Sequence, residues 1–365
     1  MRDGAASDNS VPPWDSSMQS TSPYVQGFDL DGMAHMVAHA VQFGAIADAI
    51  ILIESTKGTG RFTVHGIDGY VLPHISEAAR FINDGDILFF RGGFKGWLPF
   101  IDSIKKKGKN WLLFYGANTG NGRWPFWDVV LDDLSDELQI INGKLLFPFT
   151  KPIPPNFHFK DSRDRQFDIC IGASHIHDRK GQWRIVDAVA AAKNYYNKDL
   201  LCIMPGALHG GSETNRITNV IRENNLSISI PGMVGRKELI RIYSESKVFA
   251  KGGAHGQNDR GLLESLLCGC IPMLTDNNRH PKWVSWAFSD CIISNRSSNK
   301  DMAKVLIELT DMWDSVESET VAGIAKDENG FSVACDEFES LLSVLSAPHN
   351  MGMKYLQEVY NVSRS

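Results

Sequence analysis

The residues best suited to chemistry lie in four glycine-rich stretches of the second half of the chain. Ser174 to Gly181 (SHIHDRKG) places Arg179 and Lys180 just ahead of a helix. Adjacent cations at the carboxyl end of a strand can hold a diphosphate through charge-assisted hydrogen bonds, although the same residues also make a solvated helix start with Asp178 as its cap. Pro205 to Glu213 (PGALHGGSE) sets paired glycines and Ser212 before another helix, as a ligand contact or as a plain strand-to-helix turn. Gly232-Met233-Val234 makes a short apolar loop whose backbone can frame a nucleobase, or simply connect two elements. The fourth stretch opens at Lys251 and carries His255, Asp259, Arg260, Gly261, Leu262 and Glu264. Here a helix start offers unpaired backbone N–H groups to an anion. Glu264 is placed to accept from ribose hydroxyls, or to act as a first-turn carboxylate favoured by the helix dipole. Arg260 is its ion-pair partner or a phosphate ligand.

The elements that must position these loops follow from hydrophobic periodicity. Short apolar runs such as AIILI (49–53), DILFF (86–90), WLLFY (111–115), FDICIG (167–172), LLCIM (200–204) and CIPML (270–274) alternate with amphipathic segments. Those segments include Trp97–Lys106, Gln182–Tyr195, Glu213–Glu223, Arg236–Ser244 and Lys300–Met312, with a further one expected over Ile75–Ile82. Alternation of this kind implies parallel sheets covered on both faces, with ligands at the carboxyl ends of the strands. Between residues 148 and 165, PFTKPIPPNFHFKDSRDR breaks the pattern with four prolines and is the expected interdomain connection. The predicted organisation is a flexible leader over 1–25, a Rossmann-like domain over 26–155 and a second over 156–335. C-terminal helices over 336–365 are expected to pack back on the first domain.

Composition sets outer bounds. With 365 residues, 43% hydrophobic and 22% charged, the chain has enough apolar material for two ordinary cores. A net charge of −6 argues against a general nucleic-acid or anionic-membrane binder, since either needs a basic surface. No apolar run approaches the roughly 20 residues that span a bilayer. The six cysteines sit in apolar runs without paired C-x-x-C spacing, so buried free thiols in a reducing cytoplasm are expected rather than disulfides or zinc.

In their order, IGASHIHDRKG, LLCIMPGALHGG, GMVGRKELIRIY and GGAHGQNDRGLLESLLCGCIPML, the four motifs resemble the nucleotide-sugar-binding domain of GT-B glycosyltransferases. The last is similar to the exostosin-type branch. The resemblance implies an α/β fold of two Rossmann-like domains facing across a cleft. It implies a metal-independent transfer, with no cofactor, of a sugar from a nucleoside-diphosphate donor to a hydroxyl of a glycan or lipid-linked acceptor. Carried over, Arg179, Lys180 and Arg260 would bind the diphosphate and Glu264 the ribose. Met233 and Val234 would frame the base, with His255, Gly261 and Leu262 completing the donor side. The chain departs from retaining families in two places: Gly256 stands eight residues before Glu264, where they carry a second Glu, and Ala173 stands where they usually carry Arg.

On the acceptor side the loops RGGFKGW (91–97) and GANTGNGRW (116–124) are the expected contacts, through Arg91, Gly92, Gly93, Asn118 and Trp124. Trp97 and Trp124 are available to stack on sugars or to pack. An inverting reaction needs a general base, for which His74 and Asp128 are the candidates carried forward, ahead of His65, Asp132 and Asp133. A lipid-linked acceptor would place the cytoplasmic chain at the periphery of a membrane. The alternatives are a nucleotide-sugar epimerase of similar shape and a sugar-nucleotide-binding subunit without catalysis.

Overall fold

The computed structural model describes residues 27–54, 59–91, 95–115, 125–133, 138–141, 144–160, 164–172, 175–176, 180–208, 211–253, 259–278, 280–313 and 318–345. The expected leader and a helix expected over 351–360 lie outside them. The chain forms two compact units, Met1–Pro152 with Phe331–Ser365, and Ile153–Gly330.

In the first unit α1 (Gly27–Gln42) precedes β1 (Ile50–Glu54), β2 (Gly60–Val64) and β3 (Ile67–Leu72). These strands make a separate sheet ordered β1-β3-β2. β1 is parallel to β3, but β2 and β3 form an antiparallel hairpin. This departs from the purely parallel expectation. The hairpin turns at His65 and Gly66, both at positive φ (49° and 81°), which suits the right-handed twist of the flanking strands. A histidine at the first turn position gives a weaker turn signal than Asn or Asp.

A 3-10 helix, Ile75–Phe81, stands where an amphipathic α-helix was expected. Then follow β4 (Ile87–Arg91), α2 (Leu98–Lys107), β5 (Trp111–Tyr115), β6 (Val129–Asp132), β7 (Gln139–Ile141) and β8 (Lys144–Pro148). Their sheet runs β4-β5-β6-β8-β7 and is parallel except for β7. β5 is apolar at every position because both of its faces are covered. Trp111, Leu113 and Tyr115 join Met33 and Met36 of α1 in one core, and Leu112 and Phe114 join Ile101 and Ile104 of α2 in another.

In the proline-rich connection Lys151, Pro152, Ile153 and Pro154 are buried. Its charged end is anchored in the second unit, where Arg165 donates to the carbonyls of Tyr243 (3.2 Å), Ser246 (2.5 Å) and Cys268 (2.8 Å). That unit contains, in chain order, β9 (Phe167–Ile171), β10 (His175–Ile176), α3 (Gln182–Tyr196), β11 (Cys202–Ile203) and β12 (Ala207–Leu208). Next come α4 (Ser212–Glu223), β13 (Ile228–Ser229), α5 (Arg236–Ser244), β14 (Ser246–Lys251) and α6 (Arg260–Leu267). It closes with β15 (Ile271–Thr275), α7 (Lys282–Ala287), β16 (Ile292–Ile293), α8 (Asn299–Met312) and α9 (Ser318–Asn329). The main sheet is six-stranded and parallel, ordered β13-β11-β9-β14-β15-β16. Numbered within the sheet this is 3-2-1-4-5-6, the doubly wound dinucleotide-binding order. Its direction of winding reverses between β9 and β14, and ligands bind at the carboxyl ends of strands at such a reversal.

β10 and β12 pair as a two-stranded parallel ribbon beyond β9 and β11, too short for periodicity to reveal. α10 (Phe331–Leu345) returns to the first unit. There Ala334, Phe338 and Leu341 pack in the same core as α1, and Glu337 accepts from the N–H and hydroxyl of Thr150. All six cysteines are buried and free. Among the described residues no helix is long and apolar enough to cross a membrane.

Candidate functional site: charged loops at the sheet reversal

The loops after β9 and β14 meet backbone to backbone. Gly181, at φ 71°, begins α3, and a Cβ there would lie 2.6 Å from Gly252 O. A Cβ on Gly252 would lie 2.6 Å from Gly181 O. Arg184 in the first turn of α3 ties the junction, donating to Gly252 O (3.3 Å) and Asn295 O (2.6 Å). Only glycine at both positions allows this approach, and it carries Lys180 and Lys251 to the same edge.

Lys251 is the last residue of β14, and its side chain is only 1% exposed. Its ammonium lies 2.7 Å from Asp259 Oδ2, and the other carboxylate oxygen accepts from Gly261 N–H at 2.9 Å. Burial alone would raise the Asp259 pKa. The Lys251 and Lys180 ammoniums and the Gly261 N–H reverse this and hold it at about 2. Asp259 therefore caps α6 and gathers two lysines. Asn278, after β15, supports the same edge by donating to the carbonyls of Lys251 (3.4 Å) and Thr275 (3.1 Å).

One turn into α6, Glu264 is buried at 2% exposure and its Oε1 accepts from Arg260 Nε at 2.8 Å. Arg236, the first residue of α5, is 3% exposed. Burial and the Arg260 guanidinium bring its pKa down to about 10, opposed by Glu264, so it stays charged at neutral pH. Among the described residues the edge thus gathers four cations (Lys180, Arg236, Lys251 and Arg260) around two carboxylates (Asp259 and Glu264). His280, in the loop after β15, is kept below the usual histidine range by burial and by Lys251, against the pull of Pro281 O.

This geometry corrects part of the sequence reading. Three N–H groups at the amino end of α6 are already bonded. Gly261 N–H is bonded to the Asp259 carboxylate, and the N–H groups of Leu262 and Leu263 to Asp259 O (3.0 and 3.2 Å). The positive charge described at this edge is carried by side chains. Leu262 is a core residue, 1% exposed. Met233 and Val234 are half-buried in the loop between β13 and α5, which is tied to the loop after β11 by Gly206 N–H donating to Gly232 O (2.9 Å). Arg179 and His255 lie outside the described residues. Lys251 and Arg236 were missed, yet both carry a signal. Each is a cation beside a glycine at a strand's end or a helix's start: AKGG at 250–253 and VGRK at 234–237.

In the first unit the candidates are scattered. His74 is exposed and caps the 3-10 helix, its Nδ1 accepting from Ser76 N–H at 3.2 Å. Asp128 sits at the amino end of β6, opposite to where ligands collect. It pairs with Lys105 and accepts from Leu112 N–H at 2.9 Å. That placement gives Asp128 a structural role instead of a proton-accepting one.

His65 is stacked on His35 with centroids 4.1 Å apart, and buried Asp133 pairs with Lys151 at 3.3 Å. Arg91 closes β4 at the carboxyl edge, its guanidinium 5.0 Å from the centre of the Tyr115 ring. Trp97 is half-buried, its ring tilted against Phe90 with centroids 6.4 Å apart, and its Nε1–H bonds Glu54. Gly92, Gly93, Asn118 and Trp124 lie outside the described residues.

Two D-x-D triplets occur, Asp29-Leu30-Asp31 and Asp84-Gly85-Asp86. In the second, Asp84 pairs with Lys109 and Asp86 accepts from Asn83 N–H. Among the described residues no group of three or more His, Cys, Asp or Glu side chains is arranged to hold a metal ion.

Comparison with solved structures decides the architecture. The chain is similar to a glycosyltransferase from Rickettsia africae ESF-5 (TM-score 0.62, 12% identity, covering 88% of this chain and 96% of that one). It is similar to Anabaena Alr3699/HepE in complex with UDP (0.61, 10%, 87% and 96%). A third likeness is to an E. coli trehalose-6-phosphate structure bound with UDP-2-fluoro glucose (0.60, 11%, 86% and 96%). The chain has the GT-B fold. No protein-family profile and no curated protein sequence matches it. At 10–12% identity the likeness establishes the GT-B architecture of two Rossmann-like domains, and the chemistry must be argued from this chain's own residues.

Proposed function

We propose that the chain is a glycosyltransferase that moves a sugar from a nucleoside-diphosphate sugar to a hydroxyl of a glycan or lipid-linked acceptor, without a metal. The observation that carries this reading is the gathering, among the described residues, of Lys180, Arg236, Lys251 and Arg260 about Asp259 and Glu264 at the reversal between β9 and β14. A donor's diphosphate supplies the matching negative charge, and that charge grows as the glycosidic bond to the leaving nucleotide breaks. Cations already fixed by Asp259 and Glu264 need little reorganisation to stabilise it. Met233 and Val234 would flank the base.

On the acceptor side, Arg91 stands at the carboxyl edge of its sheet. Of the two candidate proton acceptors only His74 is exposed. A lipid-linked acceptor would bring the chain to a membrane surface. Support for the donor class comes from neighbours of the same fold whose structures hold UDP or a UDP-sugar.

The test is donor turnover by purified protein carrying Lys180→Ala or Glu264→Ala. The donor is chosen first by thermal shift against UDP-, GDP-, dTDP- and CMP-sugars, because a ligand that binds only the native state raises its stability. Loss of about tenfold or more in kcat/KM is expected for each variant, from removal of one charge-assisted contact. Turnover that survives both substitutions rules the assignment out.

A further inference from the structure

The loop after β15 brings a titratable ring to the edge where Lys180 and Lys251 meet. β15 lies beside β14 with Leu274 opposite Lys251, and Asn278 donates across to Lys251 O at 3.4 Å. Two residues further on, His280 is half-buried and close enough to Lys251 to feel its charge. Its Nδ1 lies 3.2 Å from Pro281 O and 3.5 Å from Ser285 Oγ. A carbonyl oxygen only accepts, so Nδ1 carries the hydrogen, and in the neutral ring Nε2 holds the lone pair. Resting on the donor reading above, we propose that His280 is a proton-linked ligand of that site. The ring is neutral in the free protein and takes up one proton together with the donor's diphosphate, to which Nε2–H then donates.

The surroundings keep the ring neutral beforehand. Burial disfavours the imidazolium most, and the Lys251 ammonium adds to it, while the bond to Pro281 O pulls the other way. Charged groups on the flanking segments are Lys251 at the end of β14, Asp276 in the same loop and Lys282 at the start of α7. Asp276 accepts from Asn295 N–H at 2.8 Å, and both Asp276 and Lys282 are exposed, so solvent screens them. Lys251, with its side chain 1% exposed, has the strongest hold.

An incoming diphosphate reverses the balance. An opposite charge within about 4–6 Å favours the charged form of a titratable group by about tenfold to a thousandfold. Pro281 O keeps the Nδ1 hydrogen, so the added proton goes to Nε2 and turns it from an acceptor into a donor. That proton comes from solvent, and no covalent bond of the ligand changes on binding. When the glycosidic bond later breaks, its electron pair stays on the diphosphate, and the imidazolium is already in place to hold it. Lysine and arginine stay charged across the neutral range, whereas histidine ordinarily titrates within it. Donor affinity should therefore be level in acid, where the free ring is already charged. It should then fall by up to about tenfold per pH step through the neutral range, and level off again above the pKa of the ligand-bound ring.

The test is calorimetric titration of the full chain with UDP, or with GDP or dTDP if that is what the wild type binds. Two non-phosphate buffers of different ionisation enthalpy give the number of protons taken up. His280→Asn keeps an amide N–H for Pro281 O and removes Nε2; His280→Gln serves if that variant fails to fold by circular dichroism. Wild type should take up more of a proton at pH 7 than the variant, and its affinity should fall about tenfold more between pH 6 and 8. The nucleotide's own titration cancels because both proteins bind the same ligand. The imidazole C2–H resonance that the variant lacks should titrate at a higher pH once UDP is bound. Equal proton uptake in both proteins, or a loss of affinity that is the same at every pH, overturns the role of His280 and leaves the donor reading standing. Failure of the wild type to bind UDP, GDP or dTDP overturns the donor reading and this inference with it.

Discussion

Asp259→Asn should destabilise the second unit by about 2–4 kcal/mol while leaving its fold intact. The carboxylate pKa falls from 3.8 to about 2 on folding. At about 1.4 kcal/mol per unit, that shift corresponds to roughly 2 kcal/mol favouring the ionised native form. The substitution also leaves Lys251, 1% exposed, beside a neutral amide, and breaking a buried pair costs about 3–5 kcal/mol when one charge is left behind. Retention of an amide oxygen to cap Gly261 N–H and the other contacts of Lys251 keep the expected loss toward the lower figure.

The assay is urea unfolding of wild type and variant at a series of pH values. Because the folded pKa is depressed, the carboxylate's contribution is full above about pH 4 and is lost as pH falls toward 2. The difference between the two proteins should therefore be flat from pH 5 to 8 and shrink in acid. Lys251→Met combined with Asp259→Asn should cost less than the two single changes added together, since the second change removes the stranded charge. A single-variant loss below about 0.5 kcal/mol, or strict additivity in the double variant, would refute the coupling.

Two further outcomes are expected. Gly181→Ala forces a Cβ toward the Gly252 backbone at φ 71° and should cost about 2–4 kcal/mol in unfolding free energy, together with donor affinity; a change under about 0.5 kcal/mol would show that the two loops can part freely. In the first unit, burial and the neighbouring His65 and His39 hold His35 at about pKa 4, with His65 stacked on it, Phe331 tilted beside it and Glu339 paired to His39. A base with a depressed folded pKa stabilises fully above its unfolded value of 6.5 and loses that contribution as pH falls toward 4. The loss, discounted for the half-exposed ring, is about 1 kcal/mol. His35→Phe keeps the stacking surface and should flatten the acid limb of a melting-temperature profile, whereas an unchanged slope would place the titration elsewhere.

The fold was largely legible from the chain because buried parallel strands announce themselves as unbroken apolar runs. WLLFY, FDICIG and CIPML each correspond to a strand covered on both faces. Elements whose burial is shared or partial were harder to see. The β2–β3 hairpin has a histidine in its turn. α9 (SETVAGIAKDEN) buries mainly small residues, Ala322 and Ala325 beside Val321, and so shows little periodicity. The 3-10 helix after His74 is stopped short of an α-helix in a segment whose cap is a histidine ring nitrogen.

For the site, the sequence by itself determined which loops carry charge and in what order: Lys180 after one strand, Arg260 and Glu264 after another, glycines beside each. Order along a chain fixes neither distance nor partner. Only the tertiary structure decided that β9 and β14 lie side by side at the reversal of the sheet, bringing Lys180 and Lys251 to one carboxylate. It also set Asp259 over the N–H groups that a helix start would otherwise offer, and closed Arg260 on Glu264. Strand pairing across some eighty residues, and the burial that strengthens a charge's hold on its neighbour, arise from packing; neither is written in local spacing.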